Sequence, residues 1–309
     1  MMSQHRELSR HAPAVGAMFL SALLFACMFL CARACSLPAF VGRPLPSGQV
    51  TLARWVIALA VLIPMHGRRG IDLIGNDKRG LLFRGISGGL AVYFLFLALS
   101  LTSVTHAVIL NYTSLVFGPL FAYLFMHEKL TRRSAQALPI ALVGILFITR
   151  PTSGSFQPGD FYALLSGILA GAAISEVRRL RKTESAWSIF FYLSIIGGLM
   201  ALPGVLAGGW VYPTIRGWII LSVMGLAGVG AQLFMTYGYK YVRTAEGGLL
   251  MLSQIVYSSL AGVWLFGEAL KLNTLAGGAL VLCAALWLIV PAGKVLGDKE
   301  PDIADIMVD

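Results

Sequence analysis

Residues 103–151 read SVTHAVILNYTSLVFGPLFAYLFMHEKLTRRSAQALPIALVGILFITRP, and they match residues 243–291 at a constant shift of 140 positions. The shift pairs Glu128 with Glu268, and Pro151 with Pro291. It continues upstream to Gly85 with Gly225, Gly88 with Gly228, Ala91 with Ala231, and Phe94 with Phe234. Leucine matches are frequent by chance in an apolar chain, so the glycines, the glutamate and the proline carry the argument. The chain is therefore two copies of one unit.

The composition excludes a soluble globular protein. Of the 309 residues, 57% are hydrophobic and only 12% are charged, whereas a soluble domain carries about 25% charged residues. The apolar runs are roughly 17 to 24 residues long, which is enough for a helix to cross about 30 Å of hydrocarbon. Lipid offers no partner to an unpaired backbone group, so the spanning segments are expected to be helices. The sequence predicts an all-α integral membrane protein.

Ten apolar runs are predicted to span the membrane. They cover residues 14–32, 50–65, 80–100, 104–126, 134–149, 158–177, 187–206, 217–239, 245–266 and 273–291. With the repeat, they divide the chain into a tail at 1–13, a five-helix unit at 14–151, a second five-helix unit at 152–291 and a tail at 292–309. Because five is an odd number, the second unit is expected to enter the membrane upside down relative to the first.

The basic residues predict the orientation. Eighteen of the 24 Lys and Arg residues fall on the side that holds both termini. The positive-inside rule then places both termini in the cytoplasm and the protein in the inner membrane. The net charge of +10 could also suggest nucleic acid as a partner. However, the charges occur in short loop clusters without a basic stripe and interleaved aromatics, so nucleic-acid binding is not predicted.

Several motifs resemble those of the EamA family of the drug/metabolite transporter superfamily. They are Arg84-Gly85 at the start of the third run, the acidic turns after the fourth and ninth runs, and TRRSAQALPIALVGILFITRP at residues 131–151. EVRRLRKTES at 176–185 and FGEAL at 266–270 are similar to the branch that includes S-adenosylmethionine uptake carriers. The resemblance implies a central cavity lined by runs three, four, eight and nine, with contributions from one and six. The first run departs from the family pattern, because Leu24 and Phe25 replace a common Trp-Gly pair.

Polar residues within the runs are the candidate substrate contacts, since polar groups inside a membrane usually face the bundle interior or a watery path. Asn111 and Ser114 share one face of the fourth run, and Gln254 and Ser258 share the corresponding face of the ninth. These four residues are predicted to hydrogen-bond a substrate near the midplane. The alternative is that they join helices to one another. Gln232 in the eighth run is a further candidate, because its amide both donates and accepts.

Aromatic side chains offer a second type of substrate contact. Tyr93, Tyr112 and Tyr257 lie within the third, fourth and ninth runs. Their rings could hold a planar or cationic ligand by stacking. The alternative is ordinary packing between helices.

Three ionisable residues are candidates for coupling transport to protons or for binding charge. The repeat pairs His106 with Glu246, at opposite ends of the two units. A histidine changes charge near neutral pH, and a buried glutamate can do so. The alternative for Glu246 is a favourable interaction with the helix dipole. Arg54 is expected to extend its side chain towards water, and the alternative is that it faces an anionic group in the cavity.

Two function classes remain. The favoured one is a secondary carrier of a small organic metabolite, because inverted repeats are typical of alternating-access transporters. It would either take up a metabolite such as S-adenosylmethionine or export amino acids or cationic compounds, as a monomer or a weak homodimer. The other class is a membrane-embedded enzyme, which needs acidic or histidine clusters that the runs lack. No metal site, cofactor or phosphate-binding loop for ATP is predicted.

Overall fold

The computed structural model describes residues 2–69, 73–126, 157–180, 183–241, 250–269 and 271–289, together with single positions and pairs between 136 and 147. Every regular element within these ranges is a helix. The helices are α1 Met2–Ala34, α2 Pro38–Val41, α3 Ser47–Arg69, α4 Lys78–Leu101, α5 Val104–Asn111, α6 Ser114–Met126, α7 Pro158–Leu180, α8 Ala186–Gly208, α9 Ile215–Tyr241, α10 Ser253–Phe266 and α11 Leu272–Ile289. Most of the predicted fifth run, residues 134–149, lies outside the described residues.

Among the described residues, six helices are long and apolar enough to cross a membrane. Their spanning segments are Pro13–Ala34, Ser47–Pro64, Lys78–Leu101, Pro158–Val177, Ala186–Gly208 and Ile215–Gly238. They coincide with the predicted first, second, third, sixth, seventh and eighth runs. The protein is therefore an all-helical, multi-pass membrane protein within the part of the chain that the structure describes.

The fourth run differs from the prediction, because it is not one continuous helix. It divides into α5 and α6 at a turn formed by Tyr112 and Thr113. The Thr113 hydroxyl donates to the carbonyl oxygen of Leu110 at 2.6 Å. A hydroxyl that binds a carbonyl three residues back competes with the helical hydrogen-bond pattern. This local bond gives a physical reason for the break.

The ninth run is interrupted in the same way. Leu252 forms a turn before α10, and the Ser253 hydroxyl donates to the carbonyl oxygen of Leu250 at 2.6 Å. Leu250, Leu252 and Ser253 lie 140 positions after Leu110, Tyr112 and Thr113. The repeat in sequence therefore carries a repeated helix break.

The helices of each sequence unit pack mainly on those of the other unit. The most extensive pairs are α1 with α9 and α4 with α7, followed by α4 with α8 and α3 with α8. In the 140-residue repeat, α4 corresponds to α9 and α1 corresponds to α7. The pair of α1 and α9 is therefore the repeat counterpart of the pair of α7 and α4. Two glycines permit the approach of α4 to α8: a Cβ at Gly89 would lie 2.8 Å from Cα of Gly197, and a Cβ at Gly85 would strike Ile196. These glycines therefore allow close contact between α4 and α8.

The end at which α4 begins is held by charged groups outside the membrane spans. Asp77 caps α4 by accepting from the Gly80 amide at 3.0 Å, and it forms an ion pair with Arg179 at 2.7 Å. Arg179 also binds Glu176 in the same helix. The Gly80 amide and the Arg179 guanidinium lower the pKa of Asp77. Glu184 completes the contact by accepting from the Asp77 amide at 2.9 Å.

Candidate functional site

A cavity of about 180 Å³ lies between the helices of the two sequence units. Its walls come from α1, from α3 to α6, and from α7 to α10. The polar residues that line it are Arg54, Arg84, Asn111, Tyr112, Ser114, Ser166, Gln232 and Gln254. The rest of the lining is apolar or glycine, and it includes Phe25, Met28, Phe29, Leu115, Met235 and Met251. A polar cluster enclosed by apolar walls is the usual composition of a small-molecule site.

The structure brings together five of the eight predicted substrate contacts. Asn111, Tyr112, Ser114, Gln232 and Gln254 line the cavity. They come from α5, the break, α6, α9 and α10, so the two helix breaks place polar side chains at the same cavity.

The other three predicted contacts do not line this cavity. Tyr93 lies against α8, where a Cβ at Gly204 would be 2.5 Å from its hydroxyl oxygen. Tyr257 packs against the apolar cluster of Met18, Ala22 and Met251. Ser258 is fully buried, and its hydroxyl has no hydrogen-bond partner among the described residues.

Arg54 does not extend to water, and the expectation that it would is wrong. Its side chain is only 3% exposed, and it lines the cavity. The guanidinium carbon lies 4.3 Å from the ring centroid of Trp55 and 5.8 Å from that of Phe96. The absence of a side chain at Gly228 provides room, since a Cβ there would lie 3.2 Å from Nε of Arg54. Stacking on aromatic faces therefore keeps the charge inside the bundle.

Arg84 is a cavity residue that the sequence reasoning missed, because it was counted with the charges of a neighbouring loop. Its side chain is 7% exposed and lines the cavity from α4. The guanidinium lies over Gly88, where an added Cβ would collide with it. An arginine four residues before a glycine lies on the same helix face. That spacing is the signal that could have identified Arg84.

Hydrogen bonds fix several cavity side chains. The Tyr112 hydroxyl lies 2.6 Å from the carbonyl oxygen of Met251 and 2.7 Å from Oε1 of Gln254. Nδ2 of Asn111 donates to the Ser166 hydroxyl at 2.8 Å. These bonds hold the oxygen of the Gln254 amide, whereas its buried Nε2 has no hydrogen-bond partner among the described residues. The Gln254 amide therefore keeps a donor available.

His106 lies in a second polar cluster, where α5, α7 and α11 meet. Its Nδ1 is 3.3 Å from Oδ1 of Asp160, and its Nε2 is 2.8 Å from the Thr274 hydroxyl. Asp160 is 1% exposed, and sequence reasoning missed it because it is 54 positions from His106. The cluster joins a histidine to a buried carboxylate. The predicted counterpart, Glu246, lies outside the described residues.

Glu268 connects the two sequence units near this cluster. Gly267 ends α10 in the left-handed conformation, with φ of 64°, and Glu268 follows it. The carboxylate accepts from the Val104 amide at 2.6 Å and from the Thr105 amide at 3.2 Å. It also accepts from the Thr105 hydroxyl at 3.0 Å. Glu268 therefore satisfies the N-terminus of α5.

The described ranges contain no group of His, Cys, Asp or Glu that could hold a metal ion.

The model of the EamA-like transporter family matches the chain twice, at residues 12–150 and 157–290. The pseudopaline exporter of Pseudomonas aeruginosa is 28% identical over 246 residues, which cover 79% of this chain and 86% of that protein. An S-adenosylmethionine uptake transporter of Rickettsia bellii is 23% identical over 264 residues, covering 84% of this chain and 89% of that protein. The chain also superposes on a solved crystal structure with a TM-score of 0.59 and 21% sequence identity. The superposition covers 90% of this chain and 96% of the other, which shows a shared fold.

Proposed function

Because this chain belongs to the EamA-like transporter family and is a membrane transporter, we propose that it is a secondary active carrier of a small organic metabolite. It works by alternating access across the inner membrane. The observation that carries the proposal is the cavity between the two sequence units, lined by Asn111, Tyr112, Gln232 and Gln254. The proposed oligomeric state is a monomer or a weak homodimer.

The proposed architecture is ten helices in two inverted units, at residues 14–151 and 152–291, with cytoplasmic tails at 1–13 and 292–309. Three observations support it: the family model matches twice, the helix breaks at Tyr112 and Leu252 fall in register, and the shift exchanges the α1–α9 and α4–α7 pairs. Two similar units that pack on each other in opposite orientation can exchange their roles. Such an exchange would open the cavity alternately to the two sides.

Cysteine labelling tests the orientation. Thr183 and Tyr212 are exposed in the connections before and after α8. In a cysteine-free background and intact cells, a membrane-impermeant maleimide is expected to label Tyr212→Cys. Labelling of Thr183→Cys is expected only after the membrane is permeabilised. The reverse pattern would place the termini outside.

Counterflow into liposomes tests the carrier function. The purified protein is reconstituted with unlabelled compound inside, and labelled compound is added outside. The panel holds S-adenosylmethionine, amino acids, cationic dyes and small carboxylic acids, because the similar proteins are described as an uptake transporter and an exporter and the cavity lining includes two arginines. We expect protein-dependent accumulation of at least one class. Uptake and efflux of the same compound in whole cells then give the direction. Folded protein that moves none of the compounds would contradict the proposal.

The cavity residues are tested by substitution. Asn111→Ala and Gln254→Ala are each expected to reduce transport without lowering expression, since both side chains line the cavity. Ser258→Ala is the matched control, because Ser258 lies one turn beyond Gln254 in α10 but does not line the cavity. If both cavity variants transport as well as Ser258→Ala, this cavity is not the substrate site.

Coupling to protons is proposed for the pair of His106 and Asp160, whose side chains lie 3.3 Å apart. Protonation of the imidazole would strengthen its attraction to the carboxylate and tighten the contact between α5 and α7. His106→Ala is therefore expected to flatten the dependence of transport on pH, and Asp160→Asn to do the same. The His106→Ala variant with the pH profile of the wild type would remove His106 from the coupling mechanism.

A further inference from the structure

We propose that Arg54 and Arg84 bind a carboxylate of the transported compound, so that the substrate is a small organic acid of net negative charge. The inference rests on the proposed function, because it assigns the chemistry of the same cavity. The inferred substrate is an anion, whereas sequence similarity alone suggests amino acids, cationic compounds or S-adenosylmethionine.

Two guanidinium groups line one small cavity at high burial. Arg54 is 3% exposed and Arg84 is 7% exposed. Arginine keeps its charge in proteins, because it does not deprotonate at ordinary pH. A buried charge is costly unless a partner of opposite charge is present. The arrangement therefore calls for a negative group in or beside the cavity.

The described lining does not provide that group, because it includes no aspartate or glutamate. Glu176 on α7 is near enough to act electrostatically on Arg84. Its carboxylate is already bound by Arg179, which approaches both of its oxygens. Arg54 has no ion pair among the described residues. An anion brought in by the substrate would supply the missing charge.

Within the described part of the chain, the buried polar side-chain atoms of the cavity residues that lack a hydrogen-bond partner are all donors. Nη1 of Arg54, Nε of Arg84 and Nε2 of Gln254 are buried and lack hydrogen-bond partners among the described residues. All three are donors. An ionised carboxylate accepts through two oxygens and donates nothing, so it matches such a set. A neutral carbonyl also accepts hydrogen bonds, but it does not balance the positive charge of the two guanidinium groups, and a cationic group adds to that charge.

The backbone around the two arginines is shaped to hold them. Arg84 lies over Gly88, and Arg54 lies beside Gly228, and in both places a Cβ would meet the guanidinium group. The ring of Trp55 further positions Arg54 at 4.3 Å. The first residues of α6 and α10 also border the cavity, and helix N-termini favour negative charge. The arginines are therefore held in place before a ligand arrives.

The size and the walls of the cavity restrict the remainder of the ligand. The volume of about 180 Å³ is below the roughly 300–1,000 Å³ of sites for drug-sized molecules. Phe25, Phe29 and Met251 contribute apolar walls. A short apolar chain or ring that carries a carboxylate fits this description. S-adenosylmethionine fits it poorly in both size and charge.

The test compares acids with their own amides on the purified full-length protein in detergent. The probes are 4-methylpentanoate, phenylacetate and glutarate, each paired with its neutral amide, at one ionic strength. We expect at least one acid to raise the apparent melting temperature, since ligands that bind only the folded state stabilise it. The matching amide should have no effect. Equal stabilisation by acid and amide, or no stabilisation by any acid, would overturn the proposal.

Substitutions assign the effect to the arginines. Arg54→Gln and Arg84→Gln should each weaken acid binding by about tenfold to a hundredfold, as expected for the loss of a charged hydrogen bond. Arg43→Gln and Arg216→Gln are matched controls at exposed positions and should bind like the wild type. Arg54→Lys provides a conservative replacement in case Arg54→Gln does not fold, and it should bind the acid more weakly than the wild type. Wild-type affinity in the Arg54 variants would overturn the proposal.

Two further probes identify the anion. 3-Methylbutyl phosphate presents a phosphate on a similar apolar chain, and tighter binding of this ester than of any acid would overturn the choice of carboxylate. S-adenosylmethionine is a net cation, and stabilisation by it that Arg54→Gln leaves unchanged would also overturn the proposal. Binding in detergent does not require transport. If the protein binds an acid but shows no counterflow, only the carrier function is contradicted. If counterflow occurs and does not depend on either arginine, only this inference is contradicted.

Discussion

Removal of the Glu268 carboxylate is expected to destabilise the fold by weakening the connection between the two sequence units. The carboxylate accepts from two amides at the start of α5 and from the Thr105 hydroxyl, at 2.6 to 3.2 Å. The loss of a helix cap costs about 0.5–2 kcal/mol, and a hydrogen bond to a charged group contributes about 1.5–3 kcal/mol. Glu268 is only partly buried, so water replaces part of the loss. We therefore expect Glu268→Ala to cost about 2 kcal/mol.

Thermal unfolding in detergent measures this cost. For a domain of about 150 to 250 residues, 1 kcal/mol changes the melting temperature by about 2–4 °C. This chain has 309 residues, so the lower end of that range applies and Glu268→Ala should lower the melting temperature by about 4 °C. Glu268→Gln keeps one acceptor oxygen and should lose roughly half as much. Lys271→Ala is the control, because Lys271 is exposed and lies nearby in the chain. If Glu268→Ala has the same melting temperature as Lys271→Ala, Glu268 does not cap α5.

Two further perturbations test other contacts. Gly228→Ala should weaken binding of the acid probe by about tenfold, because the new Cβ would lie 2.9 Å from Sδ of Met28 and 3.2 Å from Nε of Arg54, which both line the cavity, and overpacking costs about 1–3 kcal/mol. Equal affinity in Gly228→Ala and the wild type would exclude an effect of these contacts on binding. Asp77→Asn should lower the melting temperature at pH 7, because Gly80 and Arg179 lower the pKa of Asp77 and its charge is therefore favoured in the folded state. The difference between wild type and variant should shrink below about pH 4, as the wild-type carboxyl takes up its proton. A difference that stays constant with pH would show that the charge does not contribute.

The sequence predicts the spanning helices well because length and hydropathy are local properties. Within the part of the chain that the structure describes, six of the ten apolar runs form long membrane helices. The helix breaks at Tyr112 and Leu252 were not predicted. The mean hydropathy of a window does not show that a hydroxyl binds the carbonyl oxygen three residues earlier. Thr113 and Ser253 occupy paired positions in the repeat. A search for Ser or Thr at paired positions could have found the breaks.

The site was predicted less completely because its charged residues depend on tertiary contacts. Trp55 follows Arg54 directly in the sequence, but Phe96 on α4 and Gly228 on α9 also set the depth of Arg54, and these two contacts cannot be inferred from the residues next to it. Asp160 reaches His106 across 54 positions. Glu268 reaches the start of α5 across 164 positions. Contacts between residues so far apart cannot be inferred from sequence order.

The repeat duplicates the backbone around the cavity but not its charges. Gly88 and Gly228 are paired by the repeat, and each leaves room for a guanidinium group. The arginines themselves have no counterparts, since the shift carries Arg84 onto Met224 and Arg54 onto Ser194. Under the proposed mechanism, paired glycines give both units a similar backbone, as alternating access requires. A ligand with one acidic end has no twofold symmetry, so one pair of arginines suffices to bind it in either arrangement of the helices.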